Sequence, residues 1–225
     1  MEHSFWHNKW EVNQIGFHLN YIQPLLKRNL ERFTVNHSIF IPLCGKTLDI
    51  GYLLDQGHSI VAVELSEKAV IELFEQLDLI PEVSSWNARE KDTEGNQRQI
   101  GKIYQAEKLT IYVGDFFALQ QQDLGAIGLV YDRAALIALP AEMRVKYAKH
   151  MIDITQHARQ LLITLDYDQS VAGGPPFAVS PQEVENHYRE NYAIQLLEEA
   201  DIIDEEPRFK AKGLTSFYQR CYQLV

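Results

Sequence analysis

Short apolar runs alternate with amphipathic stretches along this chain, and that alternation limits its possible folds more than any other feature. Runs at Ser38–Leu43, Ser59–Glu64 and Leu109–Val113 have the length and β-branched content of buried strands. Helical patterns lie between them, at Thr47–Gln56 and in the segment that Ser66 caps. Strands alternating with helices predict an α/β fold with a doubly wound, mostly parallel sheet and helices on both faces.

The second half of the chain continues this alternation and then departs from it. Further strand candidates at Leu129–Tyr131 and Leu161–Leu165 enclose a long amphipathic helix at Ala141–Ala158. Two closing runs, Ala193–Leu197 and Leu214–Leu224, follow each other too closely for a helical crossover, so they predict an antiparallel edge. The sequence therefore predicts a seven-stranded sheet with an antiparallel C-terminal edge.

One polar stretch interrupts the pattern. Residues 82–99 are nearly all polar and contain Gly95-Asn96, a pair typical of turns, so they predict an exposed loop or a hairpin. They lie within a single predicted domain, 1–225. Further along, Ser180-Pro181 followed by Glu183 predicts a helix that begins with a capping box.

Charge and composition argue against several classes of protein. Acidic residues exceed basic ones by 31 − 21 = 10, which opposes binding to nucleic acid or to an anionic membrane. Two cysteines cannot build a disulfide framework or a four-thiolate zinc site. No apolar run approaches the length of a membrane span, and the first ten residues lack the pattern of a signal peptide, so a cytoplasmic location is expected. A monomer is expected because no exposed apolar stripe stands out.

Glycine and charged residues follow the strand candidates where a ligand would bind. In a doubly wound sheet, ligands bind beyond the carboxyl ends of the strands, at the switch point. Glu64 ends the second strand, 64 − 45 = 19 residues after Gly45, and a carboxylate at that spacing accepts hydrogen bonds from ribose hydroxyls. The four strand ends are Pro42–Lys46, Glu64, Gly114–Phe116 and Asp132-Arg133.

The glycine pattern restricts which nucleotide-like ligand fits. A dinucleotide fold needs G-x-G-x-x-G for the pyrophosphate, whereas only Gly45 and the distant Gly51 are present. The run Gly45-Lys46-Thr47 imitates the end of a P-loop, but position 40 is Phe40 where that motif needs glycine. S-adenosylmethionine has a ribose and no phosphate, so one glycine turn and one acid satisfy it. On pattern alone, the methyl donor and a dinucleotide stay open alternatives.

Six blocks of residues resemble the thiopurine S-methyltransferases, in particular their bacterial branch. The blocks occur in the same order and run nearly from end to end, although the segment from about Val83 to Lys108 is longer and more polar than the family pattern. They are Phe5-Trp6-His7 with Trp10 and Gly16-Phe17-His18; Pro42–Lys46; Gly57-His58 with Val63–Glu67; Gly114–Phe117; Tyr131–Leu136; and Leu165–Asp168 with Gly174–Phe177.

The resemblance implies a class I methyltransferase fold that uses S-adenosylmethionine without a metal and methylates a small-molecule thiol. It implies that Phe17 and Arg208 contact the acceptor, with Arg208 as the candidate catalytic residue, and that residues 1–20 form a lid over the cofactor. An arginine beside the reacting sulfur would favour the thiolate, and Arg208 or Arg133 is the candidate for that role. The family is also linked to methylation of selenium and tellurium compounds. The implied cofactor contacts are Trp10, Leu43, Glu64, Asp115, Phe116 and Arg133.

Simpler interpretations stay open for several of these residues. Trp10 and Phe17 have the helical spacing of core aromatic residues. Arg133 suits an ion pair with a neighbouring aspartate. Arg208 lies in a run of charged residues, which is typical of a solvated surface.

Other residues that could suggest chemistry favour structural roles. Cys44 has no paired histidine, so a small buried thiol is the better interpretation. The spacing of His3, His7 and His18 does not match a helix-borne metal motif. The Gly174–Phe177 run predicts a rigid loop.

Two rival functions remain at this point. One is a nicotinamide-dependent oxidoreductase on the same sheet, which the missing glycines oppose. The other is a module that binds the cofactor without turnover.

Overall fold

The computed structural model describes residues 3–33, 37–91 and 97–225. The chain divides into two compact units, one that ends at Gly128 and one from Leu129 to Val225. Within the described ranges, no helix has both the length and the apolar character needed to cross a bilayer.

The N-terminal unit joins three parallel strands to an antiparallel hairpin. Its strand order is β3-β4-β5-β2-β1; β1, β2 and β5 run parallel, and β4 and β3 are antiparallel to their neighbours. The helices are α1 (His3–Glu11), α2 (Pro24–Asn29), α3 (Leu48–Asp55), α4 (Glu67–Gln76) and α5 (Gln121–Leu124), and the strands are β1 (Ser38–Ile41), β2 (Ile60–Glu64), β3 (Glu82–Lys91), β4 (Gln97–Ala106) and β5 (Leu109–Val113).

The C-terminal unit begins parallel and ends antiparallel. Its first two strands pair in parallel, and the last two add on with antiparallel pairing, in the order β6-β7-β9-β8. The helices are α6 (Ala141–Thr155), α7 (Pro181–Tyr188) and α8 (Pro207–Lys210), and the strands are β6 (Ile127–Arg133), β7 (Arg159–Asp166), β8 (Ile194–Asp201) and β9 (Tyr218–Leu224). The predicted antiparallel C-terminal edge is confirmed.

Buried strands, the predicted cap at Ser66 and a further cap at Thr47 explain how these elements form. All five residues of β2 are buried, as expected for a strand covered on both faces. The Thr47 hydroxyl accepts a hydrogen bond from the Asp49 backbone and begins α3, and the Ser66 hydroxyl accepts one from the Ala69 backbone and begins α4. These caps place each helix directly after the turn that follows a strand.

The structure differs from the sequence prediction in the number of strands. The described residues contain nine strands rather than seven, because the polar stretch forms the hairpin β3–β4. Most of the hairpin positions whose burial is described are exposed or half-buried, and Trp86 and Tyr104 are buried among them.

Two further differences are local. The first strand ends at Ile41, and Leu43 already has a left-handed backbone with φ of 43°. At Ser180 the hydroxyl accepts from the Glu183 backbone as predicted. The Glu183 carboxylate, however, binds Arg144 at 2.6 Å, so only half of the capping box is seen.

Candidate active site

The turns after β1 and β2 meet at the carboxylate of Glu64. One oxygen of Glu64, Oε2, accepts a hydrogen bond from the Gly45 backbone at 2.8 Å, and Oε1 accepts one from the Ser66 backbone at 2.9 Å. Gly45 has φ of 55°, which glycine adopts without strain. Glu64 and the glycine turn, 19 residues apart in the sequence, are therefore in direct contact.

The environment of Glu64 combines burial with backbone donors. Burial raises the pKa of Glu64, while hydrogen bonds from the backbone of Ser66, Gly45 and Leu65 lower it. An ionised carboxylate has about four lone-pair sites, so these contacts leave room for the hydroxyl groups of a ligand. The arrangement suits a diol such as ribose.

Cys44 lies beside this carboxylate and is not activated by it. The thiol is buried, and both burial and the charge of Glu64 raise the pKa of Cys44 well above its usual value. A thiol in such a site stays protonated and unreactive near neutral pH. This agrees with the sequence interpretation of Cys44 as a small buried thiol.

The turn after β5 is also hydrogen-bonded to Glu64. The Gly114 backbone N–H donates to the carbonyl oxygen of Glu64 at 2.9 Å. Asp115 follows, half-exposed, and its Oδ1 accepts from the Phe117 backbone at 2.9 Å, which begins a short 3₁₀ turn. Phe116, the first residue of that turn, is buried. Both predicted residues at this strand end thus lie next to the Glu64 turn.

Aromatic residues of the N-terminal segment cover the glycine turn. A Cβ atom on Gly45 would lie 3.2 Å from Cζ2 of Trp10, so the indole ring rests directly on the glycine. Phe17 contacts both Trp10 and Trp6 edge to face, with ring centroids 5.6 and 5.7 Å apart. The aromatic residues that the sequence singled out therefore form one cluster on this turn.

Polar contacts fix helix α1 at two points of the same unit. Lys68 Nζ, on α4, donates to the Trp10 carbonyl at 3.1 Å. His3 Nε2 lies 3.7 Å from Asp115 Oδ2 at the other end of the helix. Helix α1 therefore extends from the turn after β1 to the turn after β5.

Arg133 and Arg208 belong to the C-terminal unit. Arg133 is the last residue of β6, is partly exposed and is followed by Ala134 with φ of 66°. A non-glycine residue with positive φ is uncommon and costs about 1–3 kcal/mol. Contacts with the surrounding residues must therefore stabilise this backbone conformation in the turn after β6, as they must for Leu43 in the turn after β1.

Arg208 is exposed on the short helix α8, whose other face is anchored in apolar packing. Phe209 is buried and contacts Tyr167 and Phe217, with ring centroids 5.6 and 4.5 Å apart. Burial raises the pKa of Glu206, and the charge of Arg208 partly offsets that rise. The packing of Phe209 thus fixes the position of α8, and with it the backbone of Arg208.

The chain matches a known family along its whole length. The family described as Thiopurine S-methyltransferase (TPMT) matches residues 1–225. This chain belongs to that family.

Individual relatives agree with this assignment. A thiopurine S-methyltransferase of Pseudomonas fluorescens is 40% identical over 226 residues, covering 100% of this chain and 99% of the relative. One from Pseudomonas aeruginosa is 42% identical over 227 residues, with the same coverage. One from Teredinibacter turnerae is 46% identical over 199 residues, covering 88% of this chain and 87% of its own.

Solved structures confirm the predicted fold class. A Burkholderia thailandensis 1,6-didemethyltoxoflavin-N1-methyltransferase with S-adenosylhomocysteine superposes with a TM-score of 0.56 at 12% identity, over 99% of this chain and 87% of its own. The N-terminal domain of EvdMO1 with SAH bound gives 0.58 at 12% identity, over 100% and 97%. The family has the fold of S-adenosylmethionine-dependent methyltransferases, an α/β fold with parallel strands and antiparallel edges.

A buried polar network that the sequence patterns did not indicate lies next to Arg133. Asp132 Oδ2 accepts from the Tyr147 hydroxyl at 2.6 Å, and Oδ1 accepts from the Leu136 backbone at 3.1 Å. Burial raises the pKa of Asp132 to about 6. The available signal was an aspartate placed directly after Val130 and Tyr131, because a carboxylate in an apolar run must find buried partners.

A metal site would need a group of side chains that could bind the ion. Within residues 3–33, 37–91 and 97–225 there is no group of three His, Cys, Asp or Glu side chains that could hold a metal ion.

Proposed function

We propose that this chain methylates the sulfur of thiopurines and related heterocyclic thiols with S-adenosylmethionine as methyl donor. The observation that carries the proposal is the end-to-end match to the family, at 40% identity over the whole chain for the Pseudomonas fluorescens relative. The bound donor supplies a methyl group on a sulfonium sulfur, and S-adenosylhomocysteine and a proton are the other products.

The proposed donor site is the cluster of turns in the N-terminal unit. Glu64 would accept the ribose hydroxyls with the lone pairs that its backbone contacts leave unused. Leu43 and Gly45 shape the turn beneath the ligand, and Asp115 and Phe116 flank it. Trp10 would cover the ligand, and Arg133 joins the proposal on the family resemblance. What the chain contributes is mainly alignment, which supplies several kcal/mol of a barrier of this kind.

The proposed acceptor contacts are Phe17 and Arg208. An aromatic wall such as Phe17 grips a flat heterocycle and excludes water from it. A cation beside an acidic sulfur lowers the pKa of that sulfur and so favours the thiolate, which is the nucleophile. This is the role proposed for Arg208, and it makes a strong general base unnecessary.

The nicotinamide alternative has no support in the glycine turn. Residues 40–51 lack the three glycines that bring a backbone close to a pyrophosphate, and the family match runs through this segment. A binding module without turnover is separated from an enzyme by assay alone.

The deciding experiment incubates the purified chain with methyl-labelled S-adenosylmethionine and 6-mercaptopurine. The expected result is label transfer to the thiopurine with one S-adenosylhomocysteine formed per methylated product. Binding of S-adenosylhomocysteine without transfer to any acceptor in a panel of thiols, selenium compounds and tellurium compounds would identify a binding module. Absence of both binding and transfer would overturn the proposal.

A further inference from the structure

The hairpin β3–β4 packs a tryptophan against the strand that carries part of the proposed donor site. Trp86 is 3% exposed, whereas residues 82–85, which precede it on β3, are all exposed. It pairs directly with Gly101 across the hairpin, and its ring lies 5.1 Å from that of Tyr112 on β5. A register shift follows immediately after Trp86. Trp86 therefore gives the polar hairpin a large apolar contact with β5.

Two glycines make room for the Trp86 ring. A Cβ atom on Gly101 would lie 2.8 Å from Cε3 of Trp86 and 2.1 Å from the Val113 carbonyl oxygen. A Cβ atom on Gly114 would lie 2.9 Å from Cζ3 of Trp86. Real Cβ atoms do not approach so closely, since packing at this distance is repulsive. The indole thus packs closely against the backbone of Gly101 and of Gly114, at the carboxyl end of β5.

The backbone beneath the indole links both proposed carboxylate positions. Gly114 donates its N–H to the carbonyl oxygen of Glu64 at 2.9 Å and directly precedes Asp115. A displacement of Gly114 would therefore move the start of the Asp115 turn and remove a hydrogen bond from the Glu64 backbone. Trp86 is the side chain that contacts Gly114 from the hairpin side.

A second contact joins the hairpin to the start of helix α4. Glu67 is the first residue of α4, and its Oε1 accepts from Lys102 Nζ at 2.6 Å and from the Tyr104 hydroxyl at 2.5 Å. These two donors lower the pKa of Glu67. The ring of Tyr104 also packs against Phe74 of α4 at 5.9 Å. The hairpin therefore holds the segment that follows Glu64 as well as the segment that follows β5.

We propose that the hairpin supports the backbone of the methyl-donor site and that Trp86 is a positioning residue for donor binding. The inference rests on the proposed function. Trp86 acts through Gly114 on the turns that carry Glu64 and Asp115, with Lys102 and Tyr104 as the second point of support. Supporting groups of this kind set how well a binding site holds its geometry.

The test measures donor binding and acceptor kinetics separately. Trp86→Ala should weaken S-adenosylhomocysteine binding between about tenfold and a hundredfold, the size of effect that a small displacement of positioning groups produces. The KM for 6-mercaptopurine at saturating donor should stay at the wild-type value. Trp86→Phe, which keeps an aromatic ring over Gly114, should recover much of the lost affinity. A merely stabilising tryptophan would lower the melting temperature and the active fraction without changing either ligand's affinity.

Controls keep the outcome unambiguous. Val83→Ala, at a half-exposed position of the same strand, should bind S-adenosylhomocysteine as the wild type does. If Trp86→Ala does not fold, the double variant Lys102→Met with Tyr104→Phe tests the second support, and unchanged donor affinity in it would overturn the proposal. Unchanged affinity in a folded Trp86→Ala would do the same. Failure of the wild-type protein to bind S-adenosylhomocysteine at all would instead refute the proposed function.

Discussion

Replacing Glu64 by glutamine tests the centre of the proposed donor site while keeping the shape of the side chain. Both oxygens of Glu64 accept backbone N–H groups, from Gly45 at 2.8 Å and from Ser66 at 2.9 Å. In Glu64→Gln, one of these acceptors becomes an NH₂ group, which cannot accept and faces another donor. The substitution therefore removes the charge and at least one backbone hydrogen bond together.

The size of the effect follows from these contacts. A hydrogen bond to a charged group contributes about 1.5–3 kcal/mol, so losing one charged contact to the ribose weakens binding from roughly tenfold to more than a hundredfold. One buried backbone N–H left without an acceptor costs about 1–3 kcal/mol of folding stability. Because typical domains are stable by about 5–15 kcal/mol, Glu64→Gln should fold with a lowered melting temperature.

Calorimetric titration with S-adenosylhomocysteine measures the binding loss, and chemical denaturation measures the stability loss. Glu75→Gln is the matched control, since it makes the same chemical change at an exposed position of α4 and should leave the affinity unchanged. Wild-type affinity in folded Glu64→Gln would refute the assignment of this carboxylate to the ribose.

Three further predictions concern the other parts of the molecule. Arg208→Ala should lower kcat/KM for 6-mercaptopurine and move the rising limb of the pH–rate profile to higher pH while sparing S-adenosylhomocysteine affinity, with partial rescue by Arg208→Lys; unchanged kinetics across that range would return Arg208 to the surface. Amide hydrogen exchange in residues 5–18 should slow when S-adenosylhomocysteine binds, and exchange that is equally slow without ligand would identify the segment as core. Because burial raises the pKa of Asp132 from 3.8 to about 6, the native state holds its proton to higher pH than the unfolded chain, so the free energy of unfolding should fall by up to about 3 kcal/mol as pH rises from about 4 to 6. Denaturation curves of Asp132→Asn should lack this fall in stability between about pH 4 and 6, and a pH dependence equal to that of the wild type would count against the raised pKa.

The strand ends of the N-terminal unit could be predicted because their signals are local. An apolar run that stops at a glycine or an acid marks both a strand and its end, and this placed Gly45, Glu64 and Gly114 correctly. The spacing of 19 residues between Gly45 and Glu64 is bridged by a hydrogen bond in the structure. The caps at Thr47 and Ser66 are equally local, since each acts on a backbone group two or three residues away.

Contacts between distant residues could not be predicted in this way. The polar composition of residues 82–99 predicted either an exposed loop or a hairpin and could not decide between them, because edge strands with exposed faces are polar as well. The buried side chains of Trp86 and Tyr104 give no periodic signal in these two strands. The bond between Tyr147 and Asp132 joins α6 to β6, and nothing in either segment alone specifies it. Roles for Arg133 and Arg208 came from the family resemblance, and they stay predictions.

The hydrogen bonds around Glu64 couple ligand binding to the folding of the surrounding turns. Its side chain holds the turn after β1 through Gly45, its carbonyl holds the turn after β5 through Gly114, and the turn after β1 is also tied by the Cys44 N–H to the Val63 carbonyl at 3.0 Å. A ligand that binds the carboxylate binds only when these turns are formed, so it stabilises the folded state by an amount that grows with its concentration relative to Kd. The same connection explains why the Trp86 contact on Gly114 matters at a site that the indole need not touch. Any change that loosens one turn should weaken donor binding, because the apparent affinity falls in proportion to the fraction of molecules in which all of these turns are formed.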